Sequence, residues 1–327
     1  MRCRARLNNS FALLALLSLL AGCSDSAGDF GVKRKSPVVL GFSHLVGQAS
    51  WNTANNESVR MAALEAGIEL RLEDAQRSQE KQVAALRSFV KQRVDVIAFS
   101  PVVETGWEFV LREIRSAGIP VILIDRNINI SDDSLYVSLV GSDFVEEGRR
   151  AGRWLLENTR DERGEIHIVE LQGTVDSSPA NGRSRGFAEV IATDPRYRVI
   201  RSLNGDFDPK RSREVMAEFL KAERQIRVLF SHSDTMALSA IEAIEDAGLK
   251  PGSEILVISI EGRRKALEAI IAGKMNVTVE CNPLLGPQLM AVVKDVAAGK
   301  AVPRRVVTQE SVFTRENAAV ELPGRVY

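Results

Sequence analysis

The stretch "PVILIDRNIN" (residues 120–129) begins as a buried strand and ends in a pair of opposite charges. Its four aliphatic residues, Val121 to Ile124, are typical of a parallel strand that is covered on both faces of the sheet. Asp125 and Arg126 follow directly, and successive residues of a strand point to opposite faces. We therefore predict a parallel α/β sheet, with the two charged side chains held apart at its carboxyl edge, free to bond a ligand.

The same pattern repeats from residue 37 onward, where short apolar runs alternate with stretches of helical periodicity. Ten runs are candidate strands: "PVVLGFSH", "IELRLEDA", "VDVIAFSP", "PVILIDR", "YVSLVGSD", "EIHIVELQG", "YRVIRSLNG", "IRVLFSHSD", "ILVISIEG" and "NVTVECNP". Such alternation is typical of doubly wound parallel sheets. Ten strands exceed one sheet of about six, so we predict two α/β domains, with a first crossing near 139–143.

Composition excludes several classes of function. The chain has 327 residues with 43 basic and 43 acidic ones, so its formal charge is zero. It has no long basic block, and nucleic acid is therefore not an expected partner. Its three histidines (His44, His167 and His232) lack metal-ligand spacing, and neither glycine-rich phosphate-binding pattern occurs. We predict no metal site and no cofactor.

The amino-terminal residues are predicted to lie outside the fold. The apolar run "FALLALLSLLAG" (11–22) follows three arginines, and it is too short for a membrane span of about 20 residues. It runs into Cys23 in a pattern that resembles a bacterial lipobox. We expect 1–22 to be a lipoprotein signal peptide, Cys23 to carry lipid and 23–36 to be a tether. The protein would then be extracytoplasmic, anchored to a bacterial membrane by lipid only; the alternative is a soluble export signal.

The predicted strands end in polar side chains. In doubly wound sheets, ligands bind outside the carboxyl ends of the strands. Hydroxyl, amide, carboxylate and guanidinium groups pair with sugar hydroxyls, and aromatic rings cover the apolar face of a sugar. The polar strand ends are Ser43-His44, Ser100, Asp125-Arg126, Gln172, Ser231 to Asp234, Glu261 and Glu280 to Asn282, with Trp51, Trp107 and Phe207 nearby. Together they predict a binding site for a sugar-sized polar ligand between the two domains.

Seven stretches carry a family resemblance. They are "GFSHLVGQASWN", "SPVVETGWEFVL", "PVILIDR", "VELQGTVDSSPANGRSRGF", "FSHSDTMALSAIEAI", "ISIEG" and "VECNPLLGP". In this order they resemble a type I periplasmic sugar-binding protein, and within that family most nearly the galactofuranose- and ribose-binding proteins. The resemblance implies two doubly wound parallel-sheet domains joined by a three-strand hinge, with crossings near 140–143, 281–284 and 307–311.

The implied lobes combine separate parts of the chain. The N-terminal lobe would comprise 37–140 plus 283–308, and the C-terminal lobe 141–282 plus 309–327. The ligand-binding residues implied by the resemblance are Gln48, Trp51, Asn52, Ser100, Trp107, Asp125, Arg126, Arg183, Phe207, Ser233, Glu261 and Asn282. Relatives usually have Asn at Ser233 and Asp at Glu261, and the galactofuranose branch has Arg at Asn52. These departures bear on which sugar is bound.

The resemblance also implies a function without chemistry. We expect an extracytoplasmic lipoprotein, acting as a monomer, that captures a monosaccharide and delivers it to the permease of an ABC importer by hinge closure. The alternative is a sensor that docks on a membrane receptor or sensor kinase. A sugar-responsive repressor shares this body but needs a helix-turn-helix, where this chain has a signal and a tether.

Two further alternatives concern single motifs. "SHSD" (231–234) contains the residue types of a catalytic triad, but triads depend on geometry rather than adjacency, and we predict no enzyme. Arg126 has a structural alternative, in which it only braces the following loop through Asp132 or Asp133.

Overall fold

The structure, a computed structural model, describes residues 37–45, 50–223 and 225–327. The predicted signal peptide (1–22), the tether (23–36) with the lipidation site Cys23, and the predicted ligand residue Gln48 lie outside the described residues. Within the described ranges, no helix has the length and apolar character needed to cross a membrane.

Strands make up two six-stranded sheets in the described part of the chain. They are β1 (Val39–His44), β2 (Glu69–Asp74), β3 (Val96–Phe99), β4 (Val121–Ile124), β5 (Ser138–Gly141), β6 (Ile166–Gln172), β7 (Tyr197–Asn204), β8 (Val228–Ser231), β9 (Leu256–Glu261), β10 (Val277–Glu280), β11 (Arg305–Val307) and β12 (Val312–Thr314). The first sheet has the order β11-β5-β4-β3-β1-β2 and the second β12-β10-β9-β8-β6-β7. All neighbours are parallel except β10 and β12.

Helices cover the faces of both sheets. They are α1 (Ser50–Ala66), α2 (Gln79–Lys91), α3 (Glu108–Ser116), α4 (Phe144–Thr159), α5 (Ser178–Ile191), α6 (Pro209–Ala222), α7 (Asp234–Asp246), α8 (Arg264–Ile271), α9 (Gly286–Ala297) and α10 (Ala318–Glu321). Helices α1, α2, α3 and α9 pack with the first sheet, and we call this unit the first lobe. The second sheet with the other helices is the second lobe. The predicted fold class, two doubly wound parallel sheets, is confirmed.

The ten predicted strands are all present. Most of them carry an apolar run that the sheet buries, whereas the edge strands β2 and β7 are largely half-buried or exposed. All four residues of β4 are at most 2% exposed, as expected for a strand covered on both faces. The sequence did not predict β11 and β12, which have only three residues each. They matter for topology, because β11 joins the first sheet and β12 the second.

The chain passes between the lobes three times. The first crossing lies between β5 and α4, the second between β10 and α9, and the third between β11 and β12. Parallel strands joined by helices have their carboxyl ends at one edge of the sheet. The residues that follow β1 to β4 therefore share one edge of the first lobe, and those that follow β6 to β9 share one edge of the second.

Candidate functional site

A cavity of about 370 Å³ lies between these two edges. Its lining combines three arginines, three carboxyl groups and three aromatic rings with smaller side chains. The lining residues are Leu45, Trp51, Asn52, Arg77, Val102, Asp125, Arg126, Phe144, Thr174, Pro179, Arg183, Asp206, Phe207, Glu261 and Cys281. Both lobes contribute, so a ligand in this cavity would contact both.

A three-residue turn places the first charged pair at the end of β4. Asp125 has φ of 64°, and the amide of Arg126 donates to the carbonyl oxygen of Ile124 at 2.7 Å. The amide of Asp125 donates to the carbonyl oxygen of Val140, also at 2.7 Å. A Cβ on Gly141 would lie 2.9 Å from the Cα of Asp125, so only glycine allows β5 to pass so closely.

The turn corrects the expectation that the two charges are held apart. Strand alternation ends at Ile124, and the positive φ of Asp125 brings both side chains to one side, with Nε of Arg126 3.7 Å from Oδ2 of Asp125. Oγ of Ser100 donates to Asp125 at 3.2 Å, and Nη1 of Arg126 donates to the carbonyl oxygen of Val102 at 3.0 Å. Nε of Arg126 is buried and has no hydrogen-bond partner among the described residues. The pair therefore keeps donor capacity beside the cavity.

Burial works against both charges of this pair. It raises the pKa of Asp125, and the positive charges of Arg126 and Arg183 oppose that rise. Burial likewise lowers the pKa of Arg126, and the carboxylate of Asp125 opposes the fall. Desolvated charges of this kind gain from any further hydrogen bond to their charged form. Ligand hydroxyl groups would supply such bonds.

Arg183 enters the cavity from α5 and is 3% exposed. Its Nε donates to Oε2 of Glu147 at 2.7 Å, and its Nη1 donates to the carbonyl oxygen of His232 at 2.6 Å. Burial would lower the pKa of Arg183, but the neighbouring acidic groups, of which Glu147 is the foremost, together outweigh burial and the pKa is raised. The guanidinium carbon lies 5.2 Å from the ring centre of Phe144, which also lines the cavity. Arg183 is thus a fixed positive group.

Aromatic rings lie beside these charges. Nε1 of Trp51 donates to the carbonyl oxygen of Cys281 at 2.6 Å, so this ring of the first lobe is tied to the second crossing. The ring centre of Phe207 lies 5.8 Å from the guanidinium carbon of Arg126, which is within the range of a cation–π contact. These rings are suited to cover the apolar face of a sugar while the charged groups bond its hydroxyls.

Glu261 differs from the other acids of the cavity. Its Oε2 is buried without a hydrogen-bond partner in the described part of the chain. Burial, followed by the negative charge of Asp234, raises the pKa of Glu261 to about 8. At neutral pH this carboxyl group is therefore mostly protonated and can donate as well as accept a hydrogen bond.

Seven of the twelve predicted ligand residues line the cavity: Trp51, Asn52, Asp125, Arg126, Arg183, Phe207 and Glu261. Ser100 does not line the cavity, and its Oγ instead donates to Oδ2 of Asp125. Asn282 uses its Oδ1 to accept from the amide of Leu284 at 2.8 Å, which shapes the second crossing. Their proposed contact with ligand would be indirect.

Two predicted residues are structural in position. Trp107 is fully buried in the core of the first lobe, where its ring centre lies 5.1 Å from that of Phe99 and its Nε1 donates to the carbonyl oxygen of Val103 at 2.7 Å. Ser233 caps α7, because its Oγ accepts from the amide of Met236 at 3.3 Å. Both side chains are satisfied by the fold itself.

The alternatives for single motifs have clear outcomes. His232 of "SHSD" lies 3.0 Å from Glu170, and Asp234 accepts from Ser259 and Thr278, both at 2.7 Å, so the motif forms no triad. Arg126 bonds neither Asp132 nor Asp133 in the described structure.

Sequence reasoning missed Arg77, Thr174 and Asp206, which also line the cavity. Nη2 of Arg77 donates to Oδ1 of Asp206 at 3.0 Å and to Oγ1 of Thr174 at 3.2 Å. All three follow strand ends, as the predicted residues Asp125, Arg126 and Phe207 do. The sequence analysis named polar residues at the ends of β1, β3 and β4 but none at the end of β2. Arg77 follows β2.

A periplasmic binding protein domain model matches residues 40–301. The chain therefore belongs to the periplasmic binding protein family. This is a family of solute-binding proteins rather than enzymes, as the sequence predicted.

Individual relatives show which members of the family this chain is similar to. The galactofuranose-binding protein YtfQ of Escherichia coli (strain K12) is 39% identical over 308 residues, which are 93% of this chain and 96% of that protein. A crystal structure from Mycobacterium smegmatis in complex with β-D-fucofuranose is 48% identical with a TM-score of 0.85, covering 88% of this chain and 94% of that one. The binding-protein component of the arabinose ABC transporter from Shewanella sp. ANA-3, bound to α- and β-L-arabinofuranose, is 42% identical with a TM-score of 0.84, covering 88% and 95%. The predicted similarity to sugar-binding proteins is confirmed.

Proposed function

We propose that this chain is the sugar-binding component of an ABC importer and that it captures one neutral monosaccharide in the furanose form. The observation that carries the proposal is the charge pairing of the cavity. Arg126 faces Asp125, Arg183 faces Glu147, and Arg77 faces Asp206. With Glu261 mostly protonated, the described lining residues leave no unpaired positive charge for an acidic sugar.

The size of the cavity favours a single sugar. Small-molecule sites range over about 300–1,000 Å³, and this cavity, at about 370 Å³, is near the lower end. The relatives favour this ring form, because three of them are a galactofuranose-binding protein, a structure in complex with fucofuranose and a structure bound to arabinofuranose. Asn52 lines the cavity at the position where the galactofuranose branch has Arg, so the substituents that are accepted can differ.

Capture would proceed by hinge closure at the three crossings. A sugar would bind one lobe first and then bridge to the other, and contacts made only in the closed form would favour closure. The moving bodies would be the lobes 37–140 plus 283–308 and 141–282 plus 309–327. Lipid on Cys23 would keep this monomer at the outer side of a bacterial membrane, near the permease that receives the sugar.

A binding panel on the purified protein tests the proposal. We expect at least one of L-arabinose, D-galactose, D-fucose and D-ribose to raise the melting temperature, since a ligand at 100 times its Kd adds about 2.7 kcal/mol of stability. D-galacturonate should bind at least tenfold more weakly than D-galactose. The chemical shift of C1 in a ¹³C-labelled bound sugar reports the ring form.

The outcomes are decisive for separate parts of the proposal. Failure of every neutral sugar to bind would overturn sugar capture, and equal binding of D-galacturonate and D-galactose would overturn the charge argument. A pyranose signal from the bound sugar would overturn the furanose assignment. Cys23→Ala should release the protein from the membrane fraction or block its processing. Unchanged processing and membrane attachment of this variant would contradict the proposed lipid anchor.

A further inference from the structure

Arg77 connects the two lobes directly. It lies in the loop after β2 of the first lobe, and its Nη2 donates to the carbonyl oxygen of Asp206 at 2.7 Å and to Oδ1 of the same residue at 3.0 Å. Oγ1 of Thr174 is a third acceptor at 3.2 Å. Thr174 follows β6 and Asp206 follows β7, both in the second lobe.

The backbone on both sides of the bridge is held in an unusual conformation. Gln76 and Arg77 have φ of 47° and 59°, and Asp206 and Phe207 have φ of 59° and 53°. Positive φ is uncommon for residues other than glycine, and it collects at functional sites where the surrounding structure enforces it. Two such residues in succession, on each of two facing loops, direct the side chains of Arg77 and Asp206 toward one another.

The bridge lies at the boundary between the cavity and solvent. Arg77 and Asp206 line the cavity, yet their side chains are 39% and 46% exposed. Phe207, directly after Asp206, contributes the ring that faces Arg126. Holding Asp206 therefore also holds the segment that carries this ring over the cavity.

Two other bonds between the lobes involve no residue that lines the cavity. The amide of Glu104 donates to the carbonyl oxygen of Asp176 at 2.9 Å, and Nδ2 of Asn181 donates to Oε2 of Glu104 at 2.6 Å. None of these three residues lines the cavity. Arg77 thus differs from them, because opening its bridge would open the cavity itself.

We propose that Arg77 is a positioning residue for sugar capture, a clasp that closes the cavity by bonding Asp206 and Thr174 rather than by contacting the sugar. An ion pair this exposed is weak, so the clasp biases the lobes toward closure while still allowing them to open. The sugar-free protein would then populate the closed form to a measurable extent, and Arg77 would set that population.

Acrylamide quenching of Trp51 fluorescence, measured without sugar, tests this proposal. Trp51 lines the cavity and Trp107 is fully buried, so a Trp154→Phe background leaves Trp51 as the responsive ring. In that background, Arg77→Ala should raise the quenching constant at least twofold. Arg77→Lys, which retains the charge and a donor, should give an intermediate value.

Arg87→Ala is the matched control, because Arg87 forms a similarly exposed ion pair with Glu113 inside the first lobe. Its quenching constant should equal that of the Trp154→Phe protein without a further substitution. Equal quenching in Arg77→Ala and Arg87→Ala would overturn the clasp, and so would a failure of Arg77→Lys to recover any protection. Because no sugar is added, a negative sugar panel would refute the proposed function and leave this result unaffected.

Discussion

One residue, Asp125, determines how the two charges after β4 are used. Its φ of 64° ends the strand alternation, so Asp125 and Arg126 meet instead of pointing apart. The planar guanidinium then bonds Val102 with one nitrogen, while Nε has no hydrogen-bond partner among the described residues. Such a group offers a ligand a directed donor, which a lysine ammonium at the same place would not reproduce.

Arg126→Lys should therefore weaken sugar binding at least tenfold, about 1.4 kcal/mol, although the charge is kept. Titration calorimetry with whichever sugar of the panel binds measures the change. Arg87→Lys, on the surface of the first lobe, is the control and should bind like the wild-type protein. If the sugar affinity of Arg126→Lys is within threefold of wild type, Asp125 and Arg126 have a structural role rather than a role in binding.

The aromatic residues of the cavity should respond differently to truncation. Phe207 is half-buried, whereas Trp51 is 7% exposed and hydrogen-bonded to the carbonyl oxygen of Cys281. Phe207→Ala should lower sugar affinity with little loss of melting temperature, and Trp51→Ala should lower both. Calorimetry and thermal melts on the two variants separate the effects. A melting temperature that collapses in Phe207→Ala while affinity survives would place that ring in the core.

At the scale of elements, the contact between α4 and α5 positions Arg183. Glycines allow the two helices to approach closely: a Cβ on Gly148 would overlap the carbonyl oxygen of Arg183, and one on Gly186 that of Val145. Arg183 lies between these contacts and its Nε reaches Glu147 on α4. A shift of α5 would therefore move a charged group of the cavity.

Gly186→Ala should destabilise the protein and also weaken sugar binding. Overpacking typically costs about 1–3 kcal/mol, and the added methyl group meets backbone that cannot rotate away. Chemical denaturation and calorimetry measure the two effects. Ala188→Ser, on the exposed side of the same helix, is the control and should change neither. Wild-type stability in Gly186→Ala would show that the helices can separate without cost.

The elements also show what the sequence could predict. Apolar runs and apolar–polar alternation bounded by turns both indicate strands, and all ten predicted strands are present. Trp107 was expected in the cavity because an aromatic residue near a strand end suits a sugar site or a core equally well, and its packing against Phe99 is a tertiary fact. The strand β11 contains only two apolar residues, and its partner β5 is far away in sequence. The turn at Asp125 depends on Gly141, which is likewise remote.

At the scale of the whole molecule, one carboxyl group joins the three crossings. Glu310 lies in the third crossing, where it accepts from Oγ1 of Thr308 at 2.8 Å. It also accepts from the amide of Asn282 in the second crossing at 3.2 Å, and from Oγ of Ser142 in the first. Burial, followed by the negative charge of Glu147, raises the pKa of Glu310 to about 8. The hinge is therefore held by a carboxyl group that is mostly neutral at pH 7.

Stability should consequently fall as the pH rises from 6.5 to 8 and become level above that. The folded protein keeps a proton on Glu310, and on Glu261, that an unfolded carboxyl group with a pKa of about 4.5 has lost. A group whose pKa is higher in the folded than in the unfolded state contributes its full stabilisation below pH 4.5. This stabilisation is lost progressively as the pH rises from 4.5 to the folded pKa. Below pH 6.5, His232 opposes the trend, because burial lowers its pKa and protonation favours unfolding. Thermal melts between pH 6.5 and 9 measure the slope.

Glu310→Gln separates the hinge from the cavity in this pH dependence. Glutamine retains an acceptor oxygen for Thr308 and Asn282 but cannot ionise. The variant should therefore lose part of the slope, while Glu261 and the other buried acids with a raised pKa supply the rest. Each pKa unit is worth about 1.4 kcal/mol, or about 3–6 °C in melting temperature for a domain of 150–250 residues. Glu321→Gln, at an exposed position, should melt like the wild-type protein at every pH. An unchanged slope in Glu310→Gln would mean that the crossings are joined by an ionised carboxylate and that the proton resides elsewhere.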